Sequence, residues 1–403
     1  MLDLSPGGTG LGDVYILSAV RTPIGKFGGS LASLTAADMG VVAAKAAMER
    51  AHVEPAQVEE TIIGNARQAG GGPNVARQIS IRSGVPKEVP AYTVNQACGS
   101  GMKAIALGYQ EILHGNLECV LAGGTESMSR LPYYLEGARW GYRLGNADLV
   151  DGMYRDGFFC PMAKMVMGET AEVLAEQYKI GREEQDQYAL CSQQRAERAI
   201  NSGRFEDEIV PMTIEGKKGA TTFSKDEHPF LGASLEKMAK LPPVFDKENG
   251  TITAGNSSGI TDGAAAVVLA GEGFVKKHGL KPLARIVGAT SVGVDPRTMG
   301  IGPVPAVRKL EQKTCLKLDQ YDVVELNEAF AAQVLACDRE LHFDKSKLNV
   351  NGGAIALGHP IGCTGTRITV TLLHEMMKRK AQRGLATLCV SGGMGMALAL
   401  ERV

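Results

Sequence analysis

The sequence predicts an α/β fold of two similar halves, with a polar segment inserted into the first. Three observations lead there. Short β-branched runs recur, each meeting a glycine-rich turn and then an alanine-rich helical stretch. Residues 281–403 repeat the plan of the opening residues. Glycine reaches 50 of 403 residues, above the usual share of about 7% and without a collagen-like period, so tight turns and close backbone approaches are expected.

Taken in order, Val14-Tyr15-Ile16-Leu17 reads as a strand, Thr35 to Arg50 as a helix, and Glu60-Thr61-Ile62-Ile63 as a strand ending at Gly64-Asn65. Ala91-Tyr92-Thr93-Val94 runs into Asn95-Gln96-Ala97-Cys98-Gly99-Ser100-Gly101, and Met102 to Leu113 has helical spacing. Cys119 to Ala122 is a strand expected to end at Gly123-Gly124. From about Ser129 to Gly255 the chain is more polar, and two helices are predicted without strong strands between them. Ala171, Leu174, Ala175 and Tyr178 stripe the first, stopped at Gly181; Ala189, Ser192, Ala196 and Ala199 stripe the second, stopped near Gly203. Strands follow at Ala284 to Val287, Val323 to Leu326 and Leu348-Asn349-Val350, then a helix from about Thr364 to Lys380 and a strand through Leu388-Cys389-Val390. Two parallels support the repeat: Leu121-Ala122-Gly123-Gly124 with Val390-Ser391-Gly392-Gly393, and Val94-Asn95 with Val350-Asn351. Residues 1–128 with 256–280 form one half, 129–255 the insert and 281–403 the other half.

Composition excludes several classes. Lys plus Arg (43) against Asp plus Glu (44) leaves a net charge of −1, so no polyanion-attracting field exists and neither nucleic acid nor a membrane surface is an expected partner. Aromatics are 5%, too few for base-stacking platforms. No Cys-x-x-Cys occurs among eight cysteines, which suits neither a zinc ribbon nor a disulfide framework and points to a reduced, cytoplasmic chain. Met1 to Asp13 lacks a basic region followed by an apolar core, so no secretory leader is expected. No apolar run reaches the ~20 residues that span a bilayer.

Cys98 is the first chemical candidate. It precedes a predicted helix, wrapped by small residues, where unpaired N–H groups stabilise a thiolate. A small buried hydrophobe is the alternative reading for any such cysteine, and it is assigned to Cys119, Cys160, Cys191, Cys315 and Cys337. His359, in Gly358-His359-Pro360-Ile361-Gly362, sits on a glycine-and-proline loop at another helix start, well placed as a general base for a thiol. The histidines at 52, 114, 228, 278, 342 and 374 read as surface or packing residues. Cys389 ends a buried strand as Cys98 follows one. Asn327 and Glu328 come straight after a strand, at the edge where α/β sheets place active sites, though on these residues alone a helix cap is slightly the better reading. Gly99-Ser100-Gly101-Met102-Lys103-Ala104 also matches G-x-G-x-x-A, but the acidic residue of a dinucleotide site is missing after the next strand.

Five long motifs in order resemble the thiolase family: Asn95 to Ala104, Gly123-Gly124-Thr125-Glu126-Ser127-Met128-Ser129, Asn327-Glu328-Ala329-Phe330-Ala331, Asn351 to Pro360, and Cys389 to Gly395. The resemblance spans Val14 to Val403. It implies a five-layer α/β/α/β/α fold with a loop domain that binds coenzyme A, and a reversible condensation of two acetyl-CoA to acetoacetyl-CoA and CoA. By that resemblance Cys98 carries the acyl group, His359 takes its proton and Cys389 deprotonates the second acetyl-CoA. Asn327 holds a water in one oxyanion hole, while the backbone N–H groups of Cys98 and Ser391 make the other. Ser258 touches the pantetheine arm, and Met167 and Phe330 line the acyl pocket. The resemblance also implies no resident cofactor and no metal, CoA thioesters being substrates, and a homodimer or homotetramer in lipid metabolism.

Three positions depart from the acetyl-specific pattern: Ser391 where glycine is frequent, Val166 for histidine and Phe230 for arginine. They leave open a 3-ketoacyl-CoA thiolase for longer chains. A nicotinamide-dependent oxidoreductase and a non-catalytic acyl-CoA-binding protein are the readings from other classes.

Overall fold

A computed structural model describes residues 12–216 and 219–403. The stretch read as lacking a secretory leader lies outside the described residues as far as residue 11. Nine strands form the main path of one sheet: β1 (Val14–Arg21), β2 (Glu60–Gly64), β3 (Ala91–Val94), β4 (Cys119–Ser127), β5 (Thr261–Gly271), β6 (Ala284–Gly293), β7 (Val323–Leu326), β8 (Arg383–Val390) and β9 (Met394–Arg402). Their order is β7-β8-β9-β6-β1-β5-β4-β2-β3, with the two-residue strand Gly25–Lys26 beside β5.

The halves repeat one topology. In the first, β2 is parallel to β3 and β4, while β5 runs antiparallel to both β4 and β1. In the second, β7 is parallel to β8 and bridges Leu348 at Val324, while β9 runs antiparallel to β8 and β6. A register shift between Ile16 and Ser18 recurs between Ile286 and Gly288. The halves join where β1 pairs with β6, Tyr15 opposite Arg285.

Eight helices complete the layers: α1 (Ala36–Ala51), α2 (Val75–Arg82), α3 (Ser100–Leu113), α4 (Met167–Gln177), α5 (Arg182–Asn201), α6 (Pro303–Thr314), α7 (Ala331–Leu341) and α8 (Ile361–Arg379). Helices α3 and α8 lie between the halves. Met102, Ile105, Ile368 and Leu372 share one core with Ile62, Val120 and Val267 of the first half and Val323, Leu388 and Leu398 of the second. Outside, α1 and α2 cover the first half through Met39, Ala43 and Ile79, and α6 and α7 cover the second through Val307, Leu310 and Val334. The result is five layers, α/β/α/β/α. The two central helices cross through glycine. A Cβ on Gly101 would lie 2.8 Å from the Thr366 nitrogen, and one on Gly365 only 2.3 Å from the Met102 nitrogen.

The structure corrects several expectations. Strand β4 does not stop at Gly123-Gly124 but runs to Ser127. Those glycines are strand residues because side chains there would meet the carbonyls of Ala265 and Gly362, at 2.5 and 2.4 Å. Leu348-Asn349-Val350 makes a single bridge rather than a strand. Asn349 turns to φ +44°, and its side-chain amide accepts from the Leu326 N–H and donates to the Leu326 carbonyl, both at 2.8 Å, where a strand backbone would pair. Both sequence parallels are out of register. Thr61 pairs with Leu121 as Val324 pairs with Leu385, so Gly123 corresponds to Thr387. Ala91 likewise corresponds to Leu348, which sets Asn351 against Val94. The insert also carries a hairpin, Met212–Gly216 with Gly219–Phe223, that its polar composition conceals. Cys315 is exposed rather than packed, because it ends α6 in the left-handed conformation. Among the described residues no helix is long and apolar enough to cross a membrane.

Candidate active site

A cavity of about 390 Å³ opens between the halves and the insert, and Cys98, His359, Cys389, Ser391, Ser258, Met167 and Phe330 line it. Loops far apart in sequence thus bring two sulfurs and an imidazole to one space.

Cys98 sits in a single 3₁₀ turn, Ala97–Gly99, between β3 and α3. Ala97 is held at φ +45°, a region that costs an L-residue roughly 1–2 kcal/mol. The turn is fastened around it: Asn95 Oδ1 accepts from the Ala97 N–H at 2.9 Å, and Ser100 Oγ accepts from Gln96 at 2.9 Å and donates to the Ala97 carbonyl at 2.7 Å. Burial pushes the Cys98 thiol up; the Ser391 N–H, the Arg67 guanidinium and its own N–H pull it back. The resting group is a neutral thiol.

Burial, helped by Arg367 and Arg67, pushes the His359 imidazole down to about 3, so it too is neutral. Its Nδ1 lies 2.6 Å from Thr364 Oγ1, and that hydroxyl donates to the Pro360 carbonyl at 3.0 Å. The hydroxyl's one proton is therefore used. Nδ1 must carry the hydrogen, which leaves Nε2 as the basic nitrogen.

Cys389 is the penultimate residue of β8 and is 1% exposed. Burial, then the neighbouring Cys98, pushes its thiol well above the ordinary range. No helix follows it. Ser391 opens a tight turn into β9, with Gly392 at φ +87° and Gly393 at φ +85°.

Asn327 is fully buried and is not among the residues that line the cavity, and among the described residues neither its Oδ1 nor its Nδ2 has a partner. The helix-cap reading fails: α7 begins after Phe330. Glu328 instead ties the insert to the second half, accepting from the Tyr188 hydroxyl (2.8 Å), the Ser192 hydroxyl (2.7 Å) and Asn349 Nδ2 (3.0 Å). The Ser258 N–H donates to the Ala329 carbonyl at 2.9 Å, and Phe245 meets the Phe330 ring edge-on at 6.4 Å. Val166 and Phe230 are absent from the lining; Phe230 lies exposed under the Lys237 ammonium.

Sequence reasoning missed Arg67 and misplaced His228, both of which line the cavity. His228 Nδ1 lies 2.8 Å from the Ala356 carbonyl, so Nδ1 donates and Nε2 turns towards Gly259. Its charged neighbours Asp226 and Glu227 made it look like a surface residue. Arg67 follows the carboxyl end of β2, the same edge that singled out Asn327, and that position was the available signal. Gly99 and Gly101, the glycines of the dinucleotide-like pattern, pack against Met396 and Thr366 and have no room for a pyrophosphate.

The thiolase N-terminal domain model matches residues 14–273, and the thiolase C-terminal domain model matches 280–402. The chain belongs to the thiolase family. This thiolase is 51% identical over 391 residues to an acetyl-CoA acetyltransferase of Cupriavidus necator, covering 97% of the chain and 99% of that protein. An acetyl-CoA acetyltransferase of Escherichia coli is 51% identical over 96% of the chain and 98% of its own length. Among solved structures, the Bacillus anthracis acetyl-CoA acetyltransferase superposes with a TM-score of 0.95 at 48% identity, over 98% of this chain and 99% of that one. Human mitochondrial 3-ketoacyl-CoA thiolase in complex with CoA gives 0.93 at 47% identity, over 98% of both chains.

Proposed function

We propose that this thiolase is an acetyl-CoA C-acetyltransferase working through an acyl-cysteine. The observation that carries the reading is the convergence of Cys98, His359, Cys389 and Ser391 on one cavity. His359 Nε2 takes the Cys98 proton as the sulfur attacks the acetyl carbonyl of acetyl-CoA. The N–H groups of Cys98 and Ser391 meet the oxyanion, and CoA leaves. Cys389 passes its own proton to the freed His359 Nε2 and, as the thiolate, removes an α-proton from a second acetyl-CoA. The enolate oxygen is met by that Nε2–H and by a water on the Asn327 amide, whose donor and acceptor are both free among the described residues. The carbanion attacks the acyl-enzyme and acetoacetyl-CoA departs; thiolysis runs the same groups in reverse. Ser258 holds the pantetheine arm, and Met167 and Phe330 line the acyl pocket. No resident cofactor takes part.

The relatives named acetyl-CoA acetyltransferase support the substrate. The likeness to human mitochondrial 3-ketoacyl-CoA thiolase, at 47% identity, favours a second reading with the same residues and longer chains. Thiolysis rates on acetoacetyl-CoA and 3-ketooctanoyl-CoA separate the two; a strong preference for the longer substrate would replace the first with the second. Incubation with acetyl-CoA should add one acetyl group at Cys98, seen by mass spectrometry, and Cys98→Ser should abolish it. Acylation at another cysteine would overturn the assignment.

A homodimer or homotetramer is supported by the apolar side chains that the insert leaves exposed, Trp140 at 87%, Leu144 at 99% and Met162 at 64%. Eight unpaired cysteines favour the cytoplasm as compartment.

A further inference from the structure

Arg67 is a buried cation that the chemistry above does not use. It is 8% exposed and lines the cavity. Its only side-chain hydrogen bond among the described residues goes from Nη2 to the Gly157 carbonyl, at 2.7 Å, and its Nε is buried without a partner. The nearby Glu126 does not neutralise it by contact. That carboxylate is occupied by Asn65 Nδ2 (2.6 Å) and by the backbone N–H groups of Gly362 (2.8 Å), Arg67 (3.1 Å) and Ala66 (3.2 Å). A guanidinium out of water with most of its five donors idle is costly unless something anionic completes it.

Its place in the cavity says what that is. The walls divide into two apolar groups. Cys389, Phe330 and Met299 pack with Met167 and Phe245 on the side where Ser258 binds the Ala329 carbonyl. Cys98, Met128 and Ile361 pack with Phe158 on the other, and Arg67 reaches that side through Gly157, the neighbour of Phe158. Cys98 and Arg67 thus share that wall of the cavity, which puts the guanidinium in the space open to an acyl group carried on Cys98.

We infer that Arg67 makes the acyl end of this cavity a carboxylate-reading pocket, so that the chain takes acyl-CoA thioesters whose tail ends in a carboxylate as well as the acetyl group. The inference rests on the acyl-cysteine reading. In the step concerned, a bond forms between Cys98 Sγ and the acyl carbon, the acyl–sulfur bond of CoA breaks, and the CoA thiolate leaves with the proton that His359 took from Cys98. The tail carboxylate pairs with the idle guanidinium donors throughout, a charge-assisted contact that a methyl end cannot make.

The test is the rate of Cys98 acylation, read by mass spectrometry, from glutaryl-CoA against pentanoyl-CoA and from adipyl-CoA against hexanoyl-CoA. The wild-type chain should favour the carboxylate-ended member of at least one pair by about 10-fold or more. Arg67→Met should reverse that ratio and Arg67→Lys should keep part of it. A wild-type preference for the methyl-ended member of both pairs overturns the inference without any variant having to fold. So does an unchanged ratio in Arg67→Met. Failure of wild-type Cys98 to take an acetyl group from acetyl-CoA strikes the acyl-cysteine reading instead, and is separately visible.

Discussion

The two halves of this thiolase are built on one frame and differ at the places that matter for chemistry. The strand registers set Ile62 against Glu325, Gly64 against Asn327 and Thr125 against Cys389. In the first half these residues only pack. Ile62 joins the central core, Gly64 is bare because a Cβ would lie 2.3 Å from the backbone of Ser100, and the Thr125 hydroxyl donates to the Ala36 carbonyl at 2.7 Å. In the second half the same places hold a buried carboxyl, an amide without partners and a thiol on the cavity. The connections differ likewise: residues 128–260 join β4 to β5, whereas Ser391–Gly393 alone join β8 to β9. On the proposed mechanism, one half contributes the nucleophile and carries the insert that walls the cavity, and the other contributes the bases.

The sharpest way to break that contrast is to write the first half's residue into the second. Cys389→Thr should lower condensation by about 10⁴-fold, the upper range for losing a positioned proton-transfer group. Acylation of Cys98 from acetyl-CoA should stay within about tenfold, because that step uses His359. Acetoacetyl-CoA formation and the mass of the acyl-enzyme measure the two separately. Equal loss of both would mean that Cys389 shapes the cavity rather than moving a proton.

Glu325 offers the next contrast. It faces Arg367 of α8 at 4.0 Å, with both side chains 1% exposed, and among the described residues none of the Arg367 nitrogens has a hydrogen-bond partner. Removing one charge from such a pair strands the other. Above about pH 8, where Glu325 is ionised, Glu325→Ile, the first half's residue, should therefore cost about 3–5 kcal/mol in urea unfolding, and adding Arg367→Leu should recover most of it. The pH dependence follows from the same site. Burial pushes the Glu325 carboxyl up to about 8 against the Arg367 charge, from an ordinary value of 4.5. The folded chain then holds a proton that the unfolded chain gives up between those values, so stability falls as pH rises from about 4.5 through 8. Glu325→Gln should flatten that slope; an unchanged slope would place its origin elsewhere.

The frame was legible in the sequence because it is written in local signals. Val323 to Leu326 is β-branched and ends before Asn327, and α1 begins at a capping box between Thr35 and Asp38. Cys98, His359 and Cys389 stood out because glycines wrap them. What the sequence concealed depends on distant contacts. Nothing local marks Gly123 and Gly124 as strand residues, since their reason is the approach of Ala265 and Gly362. Asn349 looked like a strand residue because its role as a backbone substitute for Leu326 lies in its side chain. Arg67 and His228 reach the cavity from stretches whose charge suits a solvated surface equally well.

Two asparagines at the strand edges provide the gentlest comparison. Asn65 follows β2 and donates to Glu126 at 2.6 Å and to the Thr125 carbonyl at 3.0 Å; Asn327 follows β7 and, among the described residues, bonds to nothing through its side chain. Asn65→Ala leaves a buried carboxylate short of a donor and should cost about 1–3 kcal/mol of stability. Asn327→Ala removes only unsatisfied atoms, so thermal unfolding should move little or rise slightly. Its turnover should nevertheless fall by about 10²–10³, the loss expected when one support of an oxyanion hole is removed. If Asn327→Ala instead unfolds the chain as readily as Asn65→Ala, the amide belongs to the frame that the halves share and not to the chemistry that separates them.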